Sequence, residues 1–217
     1  MALRPTTPDH LDHLVYAGPD LEQAVAQFTE RTGVRPVPGG SHPGGTANYL
    51  VALTVGGVRV RSYLEIVGPD PDHPGTRPIT LFGIHTLRGP RLVTFAVRPP
   101  NPLATVSRAR AGGYDPGPLD PLSRRTPTGG ELHWRLSHPP TEPTVIPFLI
   151  AWGETEHPAL NDDLPSLELL ELYGQSPHAQ RDRHVLQLLD VNLPLAAATE
   201  TRLVARLNTP AGRVELT

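Results

Sequence analysis

The patterned part of the chain begins with an alternating segment, a turn and an amphipathic segment. Residues 11–17, LDHLVYA, have the composition and alternation of a strand. Asp20 closes a Gly-Pro-Asp turn, and with Gln23 three positions later it forms the pattern of a helix cap. Gly33 predicts the helix end, because glycine readily takes the left-handed conformation found there. One face of this helix carries Leu21, Ala24, Val25 and Phe28.

The next stretch changes from turn-rich to extended patterning. Residues 34–46, VRPVPGGSHPGGT, predict a loop from their Pro and Gly content, with room for a short strand at 34–37. Residues 48–55 and 59–68 are rich in apolar and β-branched side chains, and the Gly pair between them predicts a hairpin. The predicted order is therefore strand, helix, optional short strand, strand, strand.

The same order recurs further along the chain. Residues 91–113 again read strand, turn, helix and Gly, and strands are predicted at 131–137 and within 145–153. The ends of the two units also align, since YLEIVGPDPDHP at 63–74 resembles FLIAWGETEHPA at 148–159. A repeat of about 80 residues is too long for a solenoid and indicates duplicated α+β modules that share one sheet.

A third segment follows the duplication. It predicts a strand at 167–174, a helix at 181–191 and a hairpin at 201–216. We therefore predict a first module, a linker, a second module and a C-terminal extension packed on the same domain. Their bounds are 8–75, 76–90, 91–160 and 161–217.

Composition narrows the classes of function. The net charge is −3, so the basic footprint of a nucleic-acid-binding protein is missing. The sequence has no cysteine, which excludes disulfides, thiolate nucleophiles and cysteine zinc sites. All 19 basic residues are arginine, which excludes lysine Schiff bases and Walker-type phosphate loops. No apolar run has the length of a signal peptide or membrane helix, so we expect a cytoplasmic protein with no membrane partner.

Four segments carry a resemblance to a known family. They are LDHLVYAGPDLEQAVAQFTERTG at 11–33, HPGGTANYLVAL at 42–53, YLEIVGPDP at 63–71 and IPFLIAWGETEHP at 146–158. Together they resemble the glyoxalase-like domains of the vicinal oxygen chelate superfamily over residues 10–160. The resemblance implies an α+β fold in which paired βαβββ modules form a curved mixed sheet around a cleft. The remaining residues form a C-terminal β-α-β-β extension.

The resemblance also implies a chemistry. Enzymes of the superfamily hold a divalent metal in the cleft, here Zn, Mn, Ni or Fe, with open positions for two neighbouring substrate oxygens. The family's ligand positions fall on His13 and Glu65, which are 52 residues apart, one module length. Alternation along a strand places His13 on a face with Val15 and Ala17. A carboxylate within YLEIV is costly to bury unless it is paired or coordinated.

The second module lacks the matching ligands. Aligning the modules places Thr94 at the histidine position and Ile150 at the glutamate position. An alternative register substitutes Glu171 for Ile150, but it needs a longer module than the first. Most catalytic metal sites have at least three protein ligands, and the third candidates are His42, His133 and Glu131, or none.

The remaining candidates concern substrate binding. The family motif includes His42 and Asn48 as pocket residues, within a Gly-rich loop whose amides can approach an anion. Trp152 ends the matching strand of the second module and is either an apolar wall of the pocket or a core aromatic. His133 is the fourth substrate-binding candidate.

Other polar residues have simpler interpretations. His73 and His157 each precede a proline after a strand and are predicted as exposed turn residues. Ser123, Arg124 and Arg125 are predicted as a solvated turn. The apolar face of the last helix is predicted to pack on the sheet or on a partner.

Three hypotheses follow. The first is a metal-dependent enzyme, of isomerase, lyase or dioxygenase type, acting on a small oxygen-rich molecule, with Glu65 moving the proton. The second is a metal-free protein of the same fold that binds or sequesters a small molecule, as resistance proteins do. The third gives the extension an assembly role. A homodimer is compatible with all three.

Overall fold

The computed structural model describes residues 7–73 and 78–217. Two segments that the sequence analysis used lie outside these described residues. Residues 1–6, where a signal peptide was not expected, lie outside the described residues. So do 74–77, which join the predicted first module to the predicted linker.

The elements follow one another in three similar runs. The first run is β1 (Leu11–Ala17), α1 (Leu21–Thr32), β2 (Val37–Ser41), β3 (Thr46–Val55) and β4 (Val58–Pro69). The second, after a 3₁₀ segment at Leu81–Thr86, is β5 (Arg91–Val97), α2 (Pro102–Ala111), β6 (Asp120–Arg125), β7 (Glu131–Leu136) and β8 (Phe148–Ala151). The third, after a 3₁₀ turn at Pro158–Leu160, is β9 (Ser166–Ser176), α3 (Ala179–Leu188), β10 (Leu195–Ala197), β11 (Arg202–Thr209) and β12 (Gly212–Leu216).

Eight of the strands close into a ring. Its order is β3, β2, β6, β7, β8, β5, β1 and β4, and the β4–β3 pairing completes the circuit. The pairs β1–β4 and β5–β8 are parallel and the other pairs antiparallel, so the sheet is mixed. We call these eight strands the strand ring. The predicted α+β class with a curved mixed sheet is confirmed.

The C-terminal strands branch from the ring at β3. The first half of β3 pairs with β2, and residues Ala52–Thr54 pair in parallel with Ser166–Glu168 of β9. Strands β11 and β12 follow β9 as an antiparallel continuation, and the short strand β10 pairs with its other end. The extension was expected as β-α-β-β, and β10 makes it β-α-β-β-β.

Alternation along the strands separates two apolar clusters. Leu14 and Tyr16 of β1 belong to the outer cluster, beneath the helices and the C-terminal strands. Val15 and Ala17 belong to the inner cluster, inside the strand ring. The predicted two faces of β1 are therefore confirmed. The inner face is the one that carries the candidate chemistry.

Local signals for α1 act as expected. Asp20 Oδ1 accepts a hydrogen bond from the backbone amide of Gln23 at 2.9 Å. Gly33 ends the helix with φ of 70°, in the left-handed region. Within the described ranges, none of the helices has the length and apolar character that crossing a membrane requires.

The segment predicted as a loop at 34–46 contains β2, which is a correction. The glycines that indicated a loop instead permit a close strand approach. A Cβ built on Gly40 would lie 1.8 Å from the carbonyl oxygen of Arg125, across the single bridge that joins β2 to β6. Glycine at this position is therefore needed for the pairing that completes the ring.

Candidate functional site

A large cleft opens inside the strand ring. Its volume is about 870 Å³, within the range of small-molecule sites. Strands from both of the first two runs line it, together with the segment at 78–82 and the loop that follows β2. Apolar walls surround a few buried polar groups.

His13 and Glu65 face each other within this cleft. They project from the neighbouring parallel strands β1 and β4, and His13 Nε2 lies 3.7 Å from Glu65 Oε2. His13 is 4% exposed and Glu65 is 7% exposed. The His13 ring stacks on Tyr63 at 4.8 Å between centroids, which fixes the imidazole plane. The two residues chosen from the sequence therefore share one buried surface.

A bulge in β1 brings in a second acidic group, Asp12, that sequence reasoning missed. Leu11 pairs with Val97 and His13 pairs with Ala96, so Asp12 is the extra residue between them. The bulge lets the adjacent side chains of Asp12 and His13 meet. Their separation is 2.7 Å between Asp12 Oδ1 and His13 Nδ1.

Asp12 is fully buried and has four side-chain partners. Its Oδ2 accepts hydrogen bonds from Arg98 Nη1 at 2.6 Å and from Trp152 Nε1 at 3.0 Å, and lies 3.2 Å from His157 Nε2. Burial opposes its ionisation, but hydrogen bonds and charge interactions with His13 and His157 outweigh it and hold the pKa of Asp12 well below its usual value. A charged Asp12 therefore holds a proton on His13 Nδ1, which leaves Nε2 facing the cleft.

Glu65 is held by a second polar chain. Its Oε1 accepts a hydrogen bond from Asn48 Nδ2 at 2.5 Å. The side-chain oxygen of Asn48, Oδ1, in turn accepts a hydrogen bond from Arg124 Nη1 at 2.6 Å. Asn48 lies on β3 and Arg124 on β6, so the chain spans the interior from β4 to β6. Glu65 Oε2 is the oxygen that remains directed toward His13.

His42 lines the cleft from the loop that directly follows β2. Its Nδ1 is 3.0 Å from Thr46 Oγ1, and its ring meets Trp134 edge-on at 6.1 Å. Burial is the main cause that lowers the pKa of His42, and the charge of Arg124 adds to it, against the opposing charge of Glu65. His42 therefore lines the cleft as a neutral imidazole at neutral pH.

Trp152 and Trp134 form an aromatic wall. Their ring centroids are 5.5 Å apart, and both rings line the cleft. Trp152 is buried and also lines the cleft, and its part in binding a substrate stays a prediction. Tyr63 completes the floor beneath His13, and burial raises the pKa of Tyr63 well above its usual value, so its phenol stays protonated.

Three sequence interpretations are wrong. His133 faces outward from β7, is not among the residues that line the cleft, and has a side chain that is 68% exposed. His157 is buried beside Asp12 rather than exposed in a turn. Arg124 is 4% exposed on a strand rather than solvated in a turn. His73, by contrast, is exposed at the mouth of the cleft.

The second run supplies no ionisable counterpart to the His13–Glu65 pair. Thr94 is buried, lies outside the cleft lining and donates to the carbonyl of Ile146 at 3.4 Å. Ile150 lines the cleft with an aliphatic side chain. The alternative partner, Glu171, lies on β9 and pairs with Arg206 at 2.7 Å, away from the cleft.

The donor set does not fit a resident divalent metal. Among the described residues, no three His, Asp or Glu side chains form a group that could hold an ion. His13 Nε2 and a Glu65 oxygen are two donors, whereas catalytic zinc sites use three protein ligands. Of the third candidates, His42 has its Nδ1 engaged by Thr46 and His133 has an exposed side chain. Glu131 lines the cleft but, among the described residues, forms no three-donor group with His13 and Glu65.

Comparisons with known proteins agree with this architecture. The model of a glyoxalase-like domain family matches residues 11–189. A solved hypothetical protein from Staphylococcus aureus superposes with a TM-score of 0.61 at 13% identity, covering 94% of this chain and 84% of that one. No curated protein matches significantly.

Other solved structures resemble parts of the chain. Methylmalonyl-CoA epimerase from Mycobacterium tuberculosis matches at 20% identity with a TM-score of 0.36, over 68% of this chain and 91% of that one. A hypothetical protein from Bacillus halodurans matches at 14% identity with a TM-score of 0.42, over 70% of this chain and 99% of that one. On the family match, which spans most of its length, the chain belongs to the glyoxalase-like domain family.

Proposed function

We propose that the protein binds a small oxygen-bearing molecule in the cleft and moves a proton on it, as an isomerase or epimerase. The observation that carries this proposal is the pairing of His13 Nε2 with Glu65 Oε2 at 3.7 Å, both buried and both facing the cleft. In the proposed reaction one of the two removes a proton from a carbon next to a carbonyl. The proton then returns to a different position or face.

Each group of the pair has a fixed side and a reactive side. His13 is fixed through Nδ1 by Asp12, so the proton is exchanged at Nε2. Glu65 is fixed through Oε1 by Asn48, so Oε2 is the oxygen that accepts or returns a proton. Fixing one atom of each group lowers the entropy that the reaction must otherwise lose.

The metal-dependent version of this function, with Zn, Mn, Ni or Fe, has weaker support. It needs further donors besides His13 and Glu65, and these would have to be ligand oxygens or water. With that metal, isomerase, lyase and dioxygenase activities were all expected, and lyase and dioxygenase activities are proposed only for this metal-dependent version. Metal analysis of the purified protein decides between the versions. One equivalent of metal in the wild type, lost in His13→Gln, would contradict the metal-free reaction.

A metal-free binding or sequestering role is the second candidate. The observation that favours it is the aromatic and aliphatic wall formed by Trp134, Trp152 and Ile150. Such a wall holds an apolar body without taking part in proton transfer. Binding with no accompanying exchange in the assay below would establish this role in place of catalysis.

Deuterium exchange tests the proposal. The protein is incubated in D₂O with a panel of small 2-oxo and 1,3-dicarbonyl compounds, and loss of the carbon-bound proton is followed by NMR. We expect exchange by the wild type and a loss of about 10²-fold or more in His13→Gln and Glu65→Gln. His133→Gln is the matched control, since that side chain faces outward, and it should exchange like the wild type. Exchange that survives in both cleft variants would overturn the proposal.

Ligand binding is measured on the same proteins by tryptophan fluorescence. The chain has 2 tryptophans, and both line the cleft, so the signal reports on the site itself. Compounds that exchange should also change this fluorescence. The absence of both signals across the panel would count against a carbonyl ligand.

A further inference from the structure

Arg124 is a buried cation whose role the proton-transfer pair leaves open. Its residue is 4% exposed, and it lines the cleft. The hydrogen bond found for it goes from Nη1 to Asn48 Oδ1 at 2.6 Å. Among the described residues, the arginines in ion pairs are Arg98, Arg110, Arg181, Arg202 and Arg206, and Arg124 is not one of them.

Burying a guanidinium without a carboxylate is costly. Removing a charge from water costs several kcal/mol unless an opposite charge and hydrogen bonds replace the lost hydration. Burial is the main cause that lowers the pKa of Arg124, and the charge of Glu65 acts in the opposite direction. Glu65 is nevertheless one amide group away, because Asn48 lies between the two. The remaining guanidinium nitrogens therefore have donor capacity for a further group.

The fold makes a specific seat for this guanidinium. A Cβ built on Gly39 of β2 would lie 2.1 Å from Arg124 Nη1 and 2.3 Å from Asn48 Oδ1. Any other residue at position 39 would push the guanidinium from its place. Gly39 thus leaves space for the guanidinium of Arg124 to pack against β2, where the planar group faces the cleft.

We propose that Arg124 is the anion-binding residue of the cleft and that the ligand carries a carboxylate or phosphate group. This inference rests on the proposed function, because it names the substrate class of the same site. The anion takes two parallel hydrogen bonds from the guanidinium. The charge of the anion pairs with Arg124 directly. Glu65 does not, because Asn48 lies between the two side chains. The reacting carbon then lies one amide length away, beside Glu65 and His13, as in a short oxo acid.

Titration with two simple anions tests the assignment. Malonate represents the carboxylates and inorganic phosphate represents the phosphates, and sodium chloride at equal ionic strength is the control. Fluorescence of the two cleft tryptophans reports binding. We expect saturable binding of at least one anion by the wild type, and the tighter one identifies the source of the charge.

Variants locate the binding. Arg124→Gln should weaken it at least tenfold, and Arg124→Lys should lie between, because lysine keeps the charge but lacks the planar fork. Arg135→Gln is the matched control, since that arginine is exposed on β7. Equal affinity in Arg124→Gln and the wild type would overturn the proposal. So would a wild type that binds neither anion above the chloride control.

A measurement on the wild type covers the case in which the variants misfold. The side-chain Nε resonance of Arg124 should shift on adding the anion and saturate with the fluorescence. An unshifted resonance would overturn the assignment. Failure here is distinguishable from failure of the proposed function. Anion binding that depends on Arg124 without deuterium exchange would refute only the proton transfer, and exchange without such binding would refute only the anion site.

Discussion

At the scale of single residues, the cleft chemistry depends on buried partners that fix reactive side chains. Asp12 holds His13 by Nδ1, and Asn48 holds Glu65 by Oε1. Sequence spacing alone does not bring Asp12 to His13 or Asn48 to Glu65. Asp12 reaches His13 through a bulge, and Asn48 reaches Glu65 across the antiparallel β3–β4 pair. Changing a partner should therefore alter both stability and reactivity.

Asp12→Asn is the sharpest single change. It leaves Arg98 and His157 without the buried charge that they face, and we expect unfolding at pH 7 to become easier by about 3 kcal/mol. The folded pKa of Asp12 is depressed, so its contribution is full above the unfolded value of 3.8 and is lost as pH falls below it. Urea unfolding at pH 7 and pH 3.5 should therefore show a smaller gap between variant and wild type in acid.

The exposed Asp162 provides the control for that experiment. Asp162→Asn should change the free energy of unfolding by less than about 0.5 kcal/mol at either pH. A variant at Asp12 no less stable than this control would contradict the role given to the buried charge. Deuterium exchange by Asp12→Asn should also be slower, because asparagine no longer fixes the tautomer of His13.

His42 predicts a second pH effect. Because the folded pKa of His42 is lowered, the unfolded chain binds its proton first as pH falls through about 6.5. The free energy of unfolding should therefore decrease as the pH is lowered from 7.5 to 5.5. His42→Gln should flatten this slope, whereas His133→Gln, on an exposed histidine, should leave it unchanged. Urea midpoints at both pH values measure the difference, and an equal slope in all three proteins would contradict the prediction.

The sequence revealed some of these residues and concealed others for a physical reason. His13 and Glu65 stand out because a charged group within an apolar strand is costly, and their spacing equals one repeat. Asp12 was hidden because regular alternation assigns it to the face opposite His13, and a bulge is invisible in the pattern. Arg124 was hidden because its burial depends on β2, a strand distant in sequence.

At the scale of elements, helices and hairpins were predicted better than the glycine-containing strand β2. The cap at Asp20, the stop at Gly33 and the hairpin within 201–216 all lie where local signals indicated. Strand β2 was missed because its glycines have no strand propensity of their own. They occur there because neighbouring groups leave no room for a side chain, which only the assembled sheet determines.

Gly39→Ala tests that account of β2. The added methyl would displace the Arg124 guanidinium and break its hydrogen bond to Asn48. Losing a charge-assisted hydrogen bond should lower the free energy of unfolding by about 2 kcal/mol, and anion binding should weaken with it. Gly89→Ala is the matched control, because nothing lies within 4 Å of its Cβ position. Thermal unfolding and the anion titration compare the two variants. Equal changes in stability and anion binding in the two variants would contradict the role given to Gly39.

At the scale of the whole molecule, the strand ring closes within one chain. The pairings β1–β4 and β4–β3 join the ends of the circuit, so strands of one polypeptide enclose the cleft. A homodimer remains a prediction, but the cleft does not need one. The C-terminal residues contribute to the outer apolar cluster, among them Leu169, Leu172, Leu186 and Leu207.

Shared packing predicts that the extension and the strand ring unfold together. Leu169 of β9 is fully buried in the same cluster as Val51 and Leu53 of the ring. Leu169→Ala should therefore lower the free energy of unfolding by about 2–5 kcal/mol, the cost of a large-to-small change in a packed core. Leu103→Ala is the control, since Leu103 is 66% exposed, and its effect should stay within about 0.5 kcal/mol.

The two tryptophans make this a test of the whole molecule. They report unfolding of the cleft, whereas far-UV circular dichroism reports all elements, so a single cooperative unit gives coincident curves. We expect Leu169→Ala to shift both curves equally, although the substitution lies in the extension and both tryptophans line the cleft. A tryptophan transition that stays at the wild-type midpoint, with a second transition in circular dichroism, would instead make the extension a separate unit. In that case the assembly role first considered for it would regain support, because an extension that does not stabilise the cleft needs another reason to be folded.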